Sequence, residues 1–319
     1  MSERVVDLLE ASPSVSSLAR IEGASRKPPG DLILCDLARE DTSVVIDDLR
    51  ELGVPEQGSI SVEEIDSQLS KGAERAEKAA RGSAGDAVVW EEVEARTSES
   101  IELNANFLAF MVLACLIASV GVMLGQPVLI VGAMVVGPEF GPLAGLCVAL
   151  VQRRPDVGLR SLTALAVGFP VGITGAFLFS LFANWTGLVG NGFEVGSQPL
   201  TAFISEPSTF SFIVALFAGA AGVLSLTSAK SGALVGVLIS VTTIPAAAAI
   251  GVAAAFGNWA DWRGAIAQLI VNLSAIVIAG VATLLVQNRV FERRRTRHLG
   301  DSSRAMAGLP TTPRRRDTR

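Results

Sequence analysis

The chain has 319 residues, half of them hydrophobic, with a mean hydropathy of +0.48 and a formal net charge of −5 at neutral pH. That apolar content excludes a soluble globular protein of ordinary composition. Charge is also segregated. Residues 1–102 hold 11 of the 26 basic and 23 of the 31 acidic side chains, a local net charge of −12, and only ten charged residues fall between Leu103 and Asn288. From Arg289 onward ten arginines face only Glu292, Asp301 and Asp317. The chain therefore divides into an acidic soluble domain, a membrane domain and a basic tail.

The three cysteines, Cys35, Cys115 and Cys147, are too dispersed for a disulfide framework or a metal-ligand spacing, and they read as small buried apolar side chains. No cofactor and no metal are expected. The single histidine, His298, lies in the basic tail. A charged N-terminus without an apolar core does not read as a signal peptide, so the first domain is expected to be cytoplasmic.

In the first domain, residues 1–67, Arg4–Ala11 has helical spacing with Val5, Leu8 and Leu9 on one side. The run VSSLARIEGA reads as a strand, KPPGD as a turn, and DLILCDLA as a second strand. Asp41 and Thr42 offer an N-cap to the helix TSVVIDDLRELG, which Gly53 and Pro55 close, and SISVEEID alternates like an edge strand. Helix, strand, strand, helix, strand is a ferredoxin-like unit without its first strand. Either the true start lies upstream or this copy has lost an edge.

Residues 68–86 are polar and alanine-rich and read as a linker, in part helical. Residues 87–105 place Trp90, Val93, Thr97 and Ile101 near one face. This lead-in helix lies either along the membrane surface or packed on the soluble domain.

Six apolar segments fill residues 106–288: Asn106 to Leu124, Pro127 to Val151, Leu159 to Asn184, Thr209 to Ser228, Gly232 to Phe256 and Ala265 to Gln287. Each is long enough to cross a hydrocarbon core of about 30 Å. Arg153, Arg154, Arg160 and Lys230 fall in loops on the side of both termini; the opposite loops hold Glu194, Glu206, Asp261 and only Arg263 as a base. The positive-inside rule places both termini in the cytoplasm, with Trp185, Trp259 and Trp262 at the outer boundary. A multi-pass protein of the plasma membrane follows. Residues 289–319 have the composition of a disordered basic tail, which either attracts anionic lipid or fixes topology.

The halves of the membrane domain echo each other. LIVGAMVVGPEFGPLAGLCVAL in the second segment resembles ALVGVLISVTTIPAAAAIGVAA in the fifth, with Val-Gly at 131/132 and 235/236 and a proline about ten residues later, Pro142 and Pro245. Three crossings per half make this a 3+3 inverted repeat, a plan that puts sites where paired broken helices meet near the midplane. In the second segment Gly137 can stand at an N-cap, with Pro138 at the first helical position and Glu139 in the first turn. In the fifth, Thr242 and Thr243 precede Pro245 and can satisfy the backbone groups that it frees.

Glu139 is either a cation or proton ligand lining a pathway, or it caps its own half-helix or sits protonated against a neighbour. Asn272 and Thr174 are weaker lining candidates, and interhelical hydrogen bonding is the favoured role for each. Gly137, Gly141 and Gly145 recur at every fourth position, as close helix packing requires. The candidate pathway set is thus Gly137, Pro138, Glu139, Pro142, Thr242, Thr243, Pro245 and Asn272.

The stretch NFLAFMVLACLIASVGVMLGQPVLIVGAMVVGPEFGPLAGL, with Val131-Gly132-Ala133-Met134 followed by Pro138 and Pro142, resembles a bacterial and archaeal membrane family. That family is the uncharacterised hydrophobic domain proteins, domain of unknown function 389. SGALVGVLISVTTIPAAAAIGVA and QLIVNLSAIVIAG resemble its later segments, so the likeness runs from Ala87 to Gln287. It implies the cytoplasmic ferredoxin-like domain and leaves activity open. Two departures stand out: Gly-Pro-Glu-Phe-Gly-Pro replaces the family's usual Ser-Pro-Leu-Met-Gly-Pro, and Ile244-Pro245-Ala246 replaces a double proline.

The leading expectation is a transporter or channel for a small ion or solute, with the first domain regulatory. The alternative is a membrane-anchored signalling or scaffold protein whose N-terminal domain binds a ligand or partner. No paired carboxylate, membrane histidine or nucleophile motif suggests an enzyme. The lipid bilayer and further copies of the chain, as a homo-oligomer, are the expected partners. Nucleic acid is not, because the acidic domain repels phosphate.

Overall fold

The structure, a computed structural model, describes residues 1–65, 68–80, 88–189, 208–228 and 242–310. The chain forms two compact units, one of Met1–Val93, Thr227–Ala229 and Val286–Arg319, the other of Glu94–Leu226 and Lys230–Leu285.

In the first unit, α1 (Ser2–Ala11) precedes an antiparallel pair, β1 (Val15–Arg26) and β2 (Pro29–Leu37), whose register runs from Val15 opposite Leu37 to Arg26 opposite Pro29. The ladder breaks between Ile21 and Ser25, where Gly23 has φ +61° and its N–H donates to Asp31 Oδ1 at 2.9 Å. Only glycine takes that conformation without strain, so the bulge is fixed by sequence. After a short 3₁₀ turn come α2 (Thr42–Glu51), α3 (Val54–Gln57) and α4 (Lys71–Ala79) within the expected linker. Val5, Leu8 and Leu9 of α1 pack with Val45, Leu49 and Leu52 over Leu18 and Ile33 of the hairpin.

Two expectations for this unit differ from the structure. Residues 59–65 form no strand, and Asp66 lies outside the described residues. Only Ile60 of this run packs on the core, while Val62 and Ile65 are exposed, so its alternation does not correspond to one buried face. The basic tail is also ordered through Pro310. Helix α12 (Trp259–His298) continues through the arginines, and α13 (Ser302–Met306) packs against α1, with Ala307 and Leu309 buried in the same core. The reason is charge complementarity at α2. Buried Arg304 pairs with Asp48 and with Glu51 at 2.7 Å, His298 Nε2 meets Asp48 Oδ2 at 2.8 Å, and Arg295 meets Asp47 at 3.1 Å. Residues 311–319 lie outside the described residues.

Helix α5 (Trp90–Ser100) buries its whole expected stripe against protein. Trp90 meets Phe291 edge-on at 6.3 Å in the first unit, whereas Thr97 and Ile101, in the second unit, approach Gly145.

In the second unit, α6 (Ala105–Leu124) is capped by Asn104, whose Oδ1 accepts from Phe107 N–H at 2.8 Å, and ends at Gly125 with φ +61°. Helices α7 (Pro127–Val136) and α8 (Phe140–Gln152) meet at a 53° bend and are followed by α9 (Pro155–Trp185), α10 (Thr209–Thr227) and α11 (Thr243–Ala255). Four of the helices, α6, α9, α10 and α12, are long and apolar enough to cross a membrane, and the α7–α8 pair makes five if taken as one broken span. Of the remaining expected segment, α11 is the second half, while residues 232–241 lie outside the described residues.

Helix α11 packs against α6, α7 and α9, and Ala246, Ala247, Ala248 and Ala249 are fully buried. Small side chains let the backbones approach closely there. The outward faces are apolar: Phe210 is 79% exposed, Phe217 70%, Leu178 59% and Ile270 58%. Such faces match a hydrocarbon solvent, and the protein is a multi-pass membrane protein.

Candidate functional site

The break between α7 and α8 follows from its residues. Gly137 ends α7 in an extended conformation, Pro138 cannot donate a backbone hydrogen bond, and α8 restarts at Phe140 with Glu139 as its N-cap residue. Gly137 therefore closes the first half-helix rather than opening the second, which shifts the expected cap by two residues. The Glu139 side chain makes no hydrogen bond to its own helix. Its Oε1 instead lies 2.6 Å from Thr243 Oγ1, which donates to it, across 104 residues of sequence.

Glu139 is 3% exposed and Thr243 fully buried. Among the described residues, Glu139 Oε2 has no hydrogen-bond partner. A carboxylate oxygen so placed is costly unless something positive or hydrogen-donating meets it.

The start of α11 supplies the other wall. Thr242 is its N-cap residue, and Pro245 stands third in the helix, where its missing N–H costs no intrahelical bond. Pro142 has the same third place in α8. The threonine hydroxyls therefore do not repair backbone freed by proline, as expected from sequence; both turn to side chains. Asn272 Nδ2, from α12, donates to Thr242 Oγ1 at 2.6 Å and to the Thr242 carbonyl at 3.4 Å. Gln268, one turn earlier on α12, donates from Nε2 to Asn272 Oδ1 at 3.1 Å, and its own Oε1 has no partner among the described residues.

The Thr242 carbonyl can only accept, so the Asn272 amide nitrogen must face it and Oδ1 must face Gln268. That chain of constraints leaves Gln268 Oε1 as a bare acceptor.

The α7–α8 break touches the start of α11 directly. A Cβ placed on Gly137 would fall 2.6 Å from Ile244 Cγ1 and would also collide with Glu139 Oε2. Gly141 and Gly145 do the same service against Ser100 and Ile101, at 2.6 and 2.5 Å. All eight candidate pathway residues are thus located: Glu139, Thr242, Thr243 and Asn272 share one polar cluster, Gly137 abuts it, and Pro138, Pro142 and Pro245 shape the two helix starts. Thr174 does not join them; its hydroxyl donates to the Pro170 carbonyl of its own helix at 2.7 Å.

Gln268 was not anticipated. A polar pair four residues apart on an otherwise apolar helix was the available signal.

A cavity of about 500 Å³ reaches Gly137, Pro138 and Gly141 at the break, and Arg96, Glu99, Glu102 and Asn104 also line it. Among the described residues no group of three or more His, Cys, Asp or Glu side chains is gathered as a metal centre would need. Cys115 and Cys147 are buried against Gly172 and Gly280, each 2.7 Å from the position of a glycine Cβ.

Comparison with known proteins agrees with the resemblance drawn from the motifs. Residues 134–278 match the family described as domain of unknown function, DUF389, so the chain contains a DUF389 domain. An uncharacterized protein of Methanocaldococcus jannaschii is 23% identical over 194 residues, covering 61% of this chain and 58% of that protein. The matched region thus spans less than two thirds of the relative's length. No solved structure matches the chain.

Proposed function

We propose that this protein, a multi-pass membrane protein whose residues 134–278 form a DUF389 domain, is a transporter or channel for a small ion or solute. One observation carries the reading. The break between α7 and α8 meets the start of α11, far away in sequence, around a buried carboxylate, and a cavity reaches that break. Polar backbone at mid-depth is tolerated where it lines such a path or is buried in protein.

In this reading the membrane domain is six spans in a 3+3 inverted repeat. The matching third-position prolines of α8 and α11 support the repeat. Both termini are cytoplasmic by the positive-inside rule, and the first unit is a ferredoxin-like regulatory module with no catalytic role. Purified full-length protein in proteoliposomes, screened for flux of small ions and solutes, tests the reading. Transport by the wild type that falls in Gly137→Ala and Glu139→Gln supports it; no flux in any of the three counts against it.

A second reading has its own observation. Ile21, Leu32 and Leu34 lie exposed on one face of the β1–β2 hairpin, where Ile21 stands opposite Leu32. An apolar face of this kind suits a partner surface, as a signalling or scaffold protein would present. Replacing all three by serine in the full chain abolishes partner binding if this reading holds.

A further inference from the structure

The polar cluster where the α7–α8 break meets the start of α11 contains two acceptors that no donor among the described residues meets. Glu139 Oε2 and Gln268 Oε1 are both buried, both pure acceptors, and both without a partner among the described residues. They flank adjacent residues, since Glu139 binds Thr243 while Gln268 reaches Thr242 through Asn272. Thr243 Oγ1 donates to Glu139, Asn272 Nδ2 to Thr242, and Gln268 Nε2 to Asn272, and none of these donors reaches Glu139 Oε2 or Gln268 Oε1. A cluster of that composition is completed by a positive charge that several oxygens can share.

We propose that the oxygens of Glu139, Gln268 and the Thr242–Thr243 pair form a binding site for one alkali-metal cation. The inference rests on the transport reading and names the class of ion that the path takes. Charge sets the valence. Glu139 is the only ionisable group in the cluster, so one positive charge neutralises it, whereas a divalent ion would leave a net charge buried in the membrane.

Ligand type sets the metal class. Carboxylate, amide and hydroxyl oxygens are hard ligands, and no thiol or imidazole accompanies them. A proton would serve Glu139 but leave Gln268 Oε1 bare, whereas the proposed ion is shared by both. The cavity that reaches Gly137 and Pro138, the residues next to Glu139, is lined by Arg96, Glu99 and Glu102, and Glu102 also meets Arg160 at 3.6 Å.

The test measures binding separately from flux. Thermal unfolding of the detergent-purified full chain is followed in lithium, sodium, potassium or choline chloride at constant ionic strength, at two pH values. A ligand that binds only the folded state raises the unfolding temperature in a saturable way. The expected result is a rise of several degrees with at least one alkali ion over choline, abolished in Glu139→Gln. Gln268→Leu, which keeps the side-chain volume and the Glu139 carboxylate, is expected to weaken the apparent affinity about tenfold and decides the matter if Glu139→Gln does not fold.

Equal unfolding temperatures in alkali and choline salts overturn the site, as does an alkali effect that survives in both variants. So does stabilisation that follows pH alone, which would mark a proton site, or one that requires magnesium or calcium. Flux without alkali stabilisation defeats the cation site and spares the transport reading. Alkali stabilisation without flux does the reverse.

Discussion

At the scale of single residues, Thr243 is placed to test what holds Glu139 in the membrane interior. Its hydroxyl is the only side-chain donor to that carboxylate among the described residues. Thr243→Val keeps the shape and removes the donor, so it is expected to lower stability by about 1–3 kcal/mol, read as a fall in the unfolding temperature of the purified protein. Thr283→Val, which removes only a bond to its own helix at Ala279, serves as the control, with a much smaller expected change.

Asp31 belongs to the same scale. The backbone N–H of Gly23 foremost, then the Ser2 side chain and Arg20, hold its carboxyl below the usual carboxylate range. A depressed folded-state pKa means that the associated stability is present at neutral pH and is lost as pH falls through that lowered value. Asp31→Asn is accordingly expected to lower stability at neutral pH and to flatten the acid limb of the pH profile, measured by thermal unfolding from pH 7 downward.

At the scale of elements, the fit of α7 against α11 depends on a missing side chain. Gly137→Ala would push a methyl into Ile244 and Glu139. The neighbours there are the rigid start of α11 and a buried carboxylate, so overpacking is expected to cost about 1–3 kcal/mol and to reduce flux together with stability. Gly132→Ala on the same helix meets nothing within 4 Å and is expected to be neutral in both measurements.

At the scale of the molecule, the first unit is assembled from both ends of the chain. Leu309 and Ala307 complete its apolar core, and Arg304 is 1% exposed against Asp48, also 1% exposed. Removing one partner of a buried ion pair leaves the other charge uncompensated, so Arg304→Met is expected to destabilise this unit by about 3–5 kcal/mol. Combining it with Asp48→Asn is expected to recover part of that loss. A fragment of residues 1–86 lacks Arg304 and Leu309, and it is expected to unfold at a lower temperature than the same unit in the full chain.

Much of this architecture is legible in the linear chain. Charge segregation marks the membrane region, uninterrupted apolar length marks α6, α9, α10 and α12, and Gly137-Pro138 marks the bend, because each of these signals is local and periodic. The hairpin is legible for the same reason, through the turn residues between β1 and β2.

Other features were decided only by tertiary structure. The alternation of residues 59–65 promised a strand, but a strand needs a neighbour with free backbone groups, which local sequence does not reveal. The arginine-rich tail had the composition of disorder, yet its charges meet the acidic face of α2. Whether Glu139 caps its own helix is not written in its local sequence; its side chain instead meets Thr243, 104 residues away. Gln268 gains its place only because α12 brings it through Asn272 to Thr242. Composition and periodicity set where the chain meets lipid and where its helices break. Which oxygen faces which across those breaks depends on the packing of distant segments, and no local pattern encodes it.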